Sequence, residues 1–185
     1  MGGRIAIFGG SFNPVHSGHV RVAENAIDRL KLDKIIVVPA ACSPFKTGGE
    51  RFLSPSDRLE LVRLAFGGNP KVVIDDRELE KGGVSFAIDT VREIAAEESP
   101  EKLYFLVGED SVPGLPRWKD YGELVKLCEF ASFPRTVESS TEIRNLARSG
   151  GDFARFMPEK AAKRLKEMDF SQKKGTGNGK EGNST

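Results

Sequence analysis

Apolar residues along the chain fall into two kinds of run. Five are short and nearly continuous: Ile5-Ala6-Ile7-Phe8, Ile35-Ile36-Val37-Val38, Val72-Val73-Ile74, Leu103-Tyr104-Phe105-Leu106-Val107 and Phe130-Ala131-Ser132-Phe133. Runs of this length, three of them stopped by Gly9-Gly10, Pro39 or Gly108, read as strands buried on both faces. Between them apolar positions recur every three or four residues, the period of a helix with one buried face. Val20, Ala23, Ile27 and Leu30 mark a helix over 19–32, and Leu59, Val62 and Phe66 mark one opened by Ser54-Pro55 as N-cap and first helical residue. Ile88, Val91 and Ala95 follow a possible cap at Ser85, and residues 121–128 form a shorter helix. Ile143, Leu146 and Ala147 follow Ser139-Ser140-Thr141-Glu142 and end near Gly150, and Ala161, Ala162 and Leu165 follow Pro158. A loop rich in proline, glycine and serine covers 40–53.

Strands alternating with helices predict a parallel sheet covered on both faces. Such sheets bind ligands beyond the C-terminal ends of the strands, where the strand order reverses. The places to look are therefore after Phe8, Val38, Ile74 and Val107. No repeat or linker divides the chain, so residues 1–170 form one domain. Residues 171–185 hold almost nothing to bury and predict a disordered tail. Hydrophobic residues make up 38% of 185 and charged residues 30%, ordinary for a globular domain. The net charge of +1 argues against a long nucleic-acid-binding face. Cys42 and Cys128, with no Cys-x-x-Cys pair, read as reduced thiols. The first strand follows the N-terminus too closely for a signal peptide, and no run approaches membrane-spanning length, which predicts a cytoplasmic protein.

The richest stretch closes the first strand: Gly9-Gly10-Ser11-Phe12-Asn13-Pro14-Val15-His16-Ser17-Gly18-His19. Two glycines at a strand end let backbone approach a ligand closely. A helix beginning near Gly18 would turn free N–H groups and its positive end toward an anion. His16 and His19 are the only histidines, and at a spacing of three they can converge on one helical turn. Imidazole can donate to phosphate oxygens. The stretch is neither a Gly-x-x-x-x-Gly-Lys loop nor a Gly-x-Gly-x-x-Gly turn. Three readings stand on the residues alone: a phosphate site, a zinc pair whose further ligands are not evident nearby, or ordinary turn and cap histidines.

This stretch resembles the signature of the nucleotidylyltransferase superfamily, whose hallmark is His-x-Gly-His. Ser139-Ser140-Thr141-Glu142-Ile143-Arg144 resembles its second signature, Ser-Ser-Thr-x-Ile-Arg. The resemblance spans residues 4–168. It implies a Rossmann-like, doubly wound α/β fold with a parallel sheet of about five strands, helices on both faces and further helices at the C-terminus. It also implies adenylyl transfer from ATP. Gly9, Gly10, Ser11 and Phe12 would pass close to the nucleotide. His16 and His19 would hold the phosphates and stabilise charge, Lys46 and Arg144 would neutralise them, and Ser140 and Thr141 would donate from a helix N-terminus. No protein metal site is expected, and Mg²⁺ would be held mainly by substrate phosphates.

Three middle segments are most similar to bacterial nicotinate-nucleotide adenylyltransferases. They are the proline-rich loop ending at Lys46, Asp76-Arg77-Glu78-Leu79 with Ser85-Phe86-Ala87 and Asp89-Thr90, and Gly108-Glu109-Asp110-Ser111 with Leu115-Pro116-Arg117-Trp118. That likeness implies nicotinate mononucleotide as the acceptor. Asn13, Lys46, Ser85, Thr90, Gly108, Asp110 and Trp118 would surround it, with the Trp118 indole stacked on the pyridine ring. The chain departs from the family pattern at Phe45, which stands where a histidine precedes the lysine, and at Phe86 and Ala87, which replace two hydroxyls. The connection over 133–138 is short. These departures leave room for another acceptor, nicotinamide mononucleotide or phosphopantetheine, or for a nucleotide-binding sensor without turnover. Neither nucleic acid nor membrane is expected as a partner.

Overall fold

All five apolar runs become parallel strands of one sheet. A computed structural model of the chain describes residues 2–44 and 52–168. The expectations for Phe45, Lys46 and the tail over 171–185 lie outside the described residues. The strands are β1 (Arg4–Gly10), β2 (Lys34–Pro39), β3 (Val72–Ile74), β4 (Lys102–Gly108) and β5 (Glu129–Phe133). They lie in the order β3-β2-β1-β4-β5, with every neighbouring pair parallel. The order reverses between β1 and β4, so the chain's first strand-to-helix turn sits at the switch point. There Gly10 lies beside Pro39 and Gly108 beside Phe133, which brings four strand ends to one edge.

Alternation along each strand sends side chains to two cores. On one face Ala6, Phe8, Ile35, Val37, Tyr104 and Leu106 meet helices α1 (Ser17–Leu30), α2 (Pro55–Phe66), α6 (Ser140–Ser149) and α7 (Glu159–Glu167). On the other, Ile5, Ile7, Ile36, Val38, Phe105 and Val107 meet α4 (Ala87–Glu98) and α5 (Tyr121–Leu127). A short α3 (Arg77–Lys81) and a 3-10 stretch (Glu109–Arg117) complete this side. Each fully buried leucine or isoleucine in these layers contributes about 1.5–3 kcal/mol relative to exposure. The parallel sheet covered on both faces that the alternating pattern predicts is found, with the doubly wound strand order that the resemblance implies.

Two local readings need correction, and two short elements were passed over. In α2 the inward positions are Leu61, Val62 and Phe66, with Arg58 on the same stripe, and Leu59 is only half-buried. Ser85 does not cap α4. Its hydroxyl accepts from the Ala41 N–H at 2.9 Å, so Phe86 takes the N-cap position. The segments 77–81 and 109–117 are short helices, which their proline, glycine and charge content concealed. The cap of α2 is as read, with Ser54 Oγ accepting from Asp57 N–H at 3.1 Å and the Asp57 carboxylate accepting from Ser54 N–H at 3.2 Å.

The edge of the sheet opposite the switch point is tied by polar bonds. The Arg4 N–H donates to the Asp33 carboxylate at 2.8 Å, its Nε to the Leu30 carbonyl at 2.8 Å and its Nη2 to the Tyr104 hydroxyl at 2.6 Å. Lys71 Nζ donates to the Leu32 carbonyl at 2.8 Å, and Lys34 pairs with Glu98 at 2.6 Å. Among the described residues no helix is long and apolar enough to cross a membrane.

Candidate active site

A cleft of about 1120 Å³ opens at the C-terminal ends of β1, β2, β4 and β5. Its floor is the turn after β1 and the start of α1. Its walls are the strip leaving β2 (Ala40, Ala41, Cys42, Ser43), the segment at Gly108 and Asp110, the short connection after β5, and α6. This is the location the sheet rule predicts.

His16 and His19 meet on the floor, with ring centroids 3.7 Å apart. Two bonds fix them: His19 N–H donates to the His16 carbonyl at 2.9 Å, and His16 N–H donates to His19 Nδ1 at 3.1 Å. Because Nδ1 of His19 accepts, a neutral His19 carries its proton on Nε2. Behind it the Phe12 ring stands edge-on, its centroid 5.0 Å from that of His19. His16 is buried, and burial pushes its pKa down to about 4. The Glu138 carboxylate pulls that value up and Arg21 pushes it down, both more weakly than burial. His16 is therefore uncharged near neutral pH before a ligand enters. Among the described residues its Nδ1 is the buried side-chain polar atom that lacks a hydrogen-bond partner.

The turn that leads to the histidines is gripped from behind. Its carbonyls accept in sequence from side chains of other elements: Ser11 from Arg58 at 2.7 Å, Asn13 from Arg144 at 2.8 Å and Pro14 from Ser140 at 2.9 Å. The Asn13 side chain also accepts from Leu53 N–H at 3.1 Å. Phe12 adopts a left-handed backbone, φ 43, costly for a bulky residue, and its buried ring holds it there. The second sequence signature thus folds onto the first, since Ser140, Thr141 and Arg144 begin α6 against this turn and line the cleft. Arg144 also donates to the Thr141 hydroxyl at 2.9 Å.

The remaining expected site residues divide. Gly10, Ser11, Phe12, Asn13, Gly108 and Asp110 line the cleft. Gly9 does not: a Cβ there would meet the Phe105 ring at 3.2 Å, so its missing side chain makes room for a core aromatic. At Gly10 the same space is taken by Phe12, 3.0 Å away. Ser85 shapes the cleft indirectly through Ala41. Thr90 is buried, and its hydroxyl donates to the Glu78 carboxylate. Burial drives that carboxyl's pKa up, opposed by hydrogen bonds from Thr90 and Ser85. Trp118 lies in the second apolar layer, edge-on to Phe105 and Phe130 at 5.6 and 5.8 Å. Lys46 lies outside the described residues.

Sequence reasoning passed over Arg58, Arg148 and Glu138, which also line the cleft. Arg58 had a signal, a charge three and four residues before the buried Leu61 and Val62. Glu138 had none, because its place depends on an ion pair with Arg21 of α1. That pair holds the Glu138 carboxyl below its usual range. The same connection lays Thr136 over Gly18, where a Cβ would sit 2.0 Å from the threonine hydroxyl. For the zinc reading, no group of three or more His, Cys, Asp or Glu side chains converges among the described residues.

Comparison with known proteins places this geometry. The sequence profile of the cytidylyltransferase-like family matches residues 7–166. A protein of Geobacter sp. (strain M21) named a probable nicotinate-nucleotide adenylyltransferase is 41% identical over 166 residues, covering 88% of this chain and 74% of its own length. One of the same name from Gemmatimonas aurantiaca is 34% identical, covering 86% of this chain and 88% of its own. Two solved structures share the fold. A candidate nicotinate-nucleotide adenylyltransferase of Vibrio parahaemolyticus superposes with TM-score 0.74 at 22% identity, over 88% of this chain and 97% of that one. The nicotinic acid mononucleotide adenylyltransferase of Plasmodium falciparum, solved with NaAD, gives 0.67 at 16% identity, over 88% and 94%. The chain belongs to the cytidylyltransferase-like family and, within it, to the nicotinate-nucleotide adenylyltransferases.

Proposed function

We propose that the chain transfers the adenylyl group of ATP to nicotinate mononucleotide, releasing pyrophosphate and forming nicotinate adenine dinucleotide in the cytoplasm. The observation that carries this reading is the pair of imidazoles at the start of α1, their ring centroids 3.7 Å apart and their planes tilted by 32°, on the floor of a cleft at the sheet's switch point. An oxygen of the acceptor's 5′-phosphate attacks the α-phosphorus, and the bond from that phosphorus to the bridging oxygen of pyrophosphate breaks. Nothing in the cleft calls for a covalent intermediate. Positioning and charge stabilisation supply the rate.

His19 directs its Nε2 proton to phosphate oxygen, and His16, buried and neutral, takes part as a dipole until phosphates raise its proton affinity. The turn after β1 and the start of α6 carry the nucleotide, with Ser140, Thr141 and Arg144 on its phosphates. The strip after β2 leads to Lys46 and carries the acceptor, with Asn13 and Asp110 at the cleft and Ser85, Thr90 and Trp118 shaping it from behind. Among the described residues, Asp110 and Glu138 are the carboxylates that line the cleft, on different walls, and they do not make a cage for Mg²⁺. The ion therefore comes as part of the MgATP substrate.

The test is pyrophosphate release from MgATP with nicotinate mononucleotide, nicotinamide mononucleotide and phosphopantetheine supplied separately. Release with the first alone supports the assignment. Release with another acceptor renames the enzyme, and silence with all three makes the chain a nucleotide sensor.

A further inference from the structure

A charge sits on the buried stripe of α2. Arg58 is 5% exposed and its side chain reaches the wall of the cleft. A guanidinium is stable in such a place only where oxygen acceptors replace the water it has lost. Here acceptors come from two separate strand ends. One Nη donates to the Ser11 carbonyl at 2.7 Å and the other reaches the Ala41 carbonyl at 3.5 Å. Ser11 follows β1 and Ala41 follows β2, neighbouring strands whose last paired residues are Gly10 and Pro39. The planar fork of arginine suits two acceptors on different segments, whereas an ammonium is a compact point charge.

In a planar peptide group the carbonyl and the following N–H point in opposite directions. Turning the Ser11 carbonyl toward Arg58 therefore turns the Phe12 N–H away from it, and the Ala41 carbonyl sets the Cys42 N–H in the same way. We propose that Arg58 is a positioning residue of the transfer: it fixes the peptide planes of Ser11 and Ala41, and with them the spacing of the two walls that carry nucleotide and acceptor. The inference rests on the adenylyl-transfer reading. In-line attack needs reacting atoms about 3–3.5 Å apart, and a misplacement of about 1 Å can slow the step about 10²-fold. Loss of Arg58 thus acts on the chemical step more than on the grip for either substrate.

The experiment compares wild type, Arg58→Lys and Arg58→Met in steady-state kinetics, thermal unfolding and amide hydrogen exchange. In Arg58→Lys, kcat falls about 10–100-fold while KM for ATP and for the acceptor stays within about threefold. Exchange at the Phe12 and Cys42 amides speeds at least about tenfold, with the sheet amides unchanged. Wild-type kcat with wild-type exchange in Arg58→Lys overturns the inference. So does a loss seen only as raised KM, or faster exchange spread over the whole sheet. If Arg58→Met does not fold, Arg58→Lys decides by the same readouts. A wild-type enzyme silent with every acceptor sinks the adenylyl-transfer reading instead. Exchange at the two amides then still decides whether Arg58 holds the loops.

Discussion

His16 shows what burial does to a single side chain. Its pKa of about 4 lies below the value of 6.5 that an exposed imidazole has in the unfolded chain. The unfolded state therefore takes up the proton first as pH falls. Stability rises with pH wherever the unfolded state holds more protons. The contribution of His16 is thus highest above pH 6.5, declines between 6.5 and about 4, and is level below that. The full decline is at most about 3 kcal/mol. Urea unfolding at pH 7 and pH 4.5 should show this slope in wild type and a flatter one in His16→Gln; equal slopes would mean that His16 is not buried in solution. For His19, which lines the cleft, replacement by alanine should lower kcat about 10²–10³-fold. The far-ultraviolet dichroism should not change, and near-wild-type turnover would remove His19 from the chemistry. The pairing of these two residues was legible in the sequence from their spacing. The neutrality of His16 was not, because it depends on the walls built by α6 and by the connection after β5.

At the scale of elements, the packing of α1 against the connection after β5 explains why a glycine stands in the first turn of α1. Gly18 has an ordinary φ, and it is the space above it that is taken, by Thr136. Gly18→Ala forces that connection outward and should destabilise the fold by about 1–3 kcal/mol, as overpacking does. Thr136→Gly in the same chain should recover most of the loss, since the two substitutions touch. Denaturant midpoints of the two single variants and the double variant measure this, and additive losses would show that the contact is absent. Strands and long helices were readable because each carries a run or stripe that only burial explains. The short helix α3 and the 3-10 stretch were not, since neither has two turns of periodic apolar residues. Leu59 misled because a leucine one position off the stripe keeps the helical period nearly intact while Arg58 takes the inward place.

For the whole molecule, a parallel sheet with its switch point at β1 gathers both sequence signatures at one edge. The order of strands was not in the pattern of apolar runs, which fixes that strands alternate with helices and not which strand lies beside which. If the cleft binds MgATP, ligand at about 100 times its dissociation constant adds about 2.7 kcal/mol to folding. At this chain length that raises Tm by about 5–11 °C. A shift under about 2 °C at saturating nucleotide would disqualify the cleft. The far edge of the sheet holds no part of this machinery. Arg4 there joins β1, the end of α1 and β4 through Asp33, Leu30 and Tyr104. The molecule thus keeps its fastening and its chemistry at opposite poles. Durability can be bred into the pole around residue 4, lengthening the protein's working lifetime in heat, while the tempo of each turnover stays where it was.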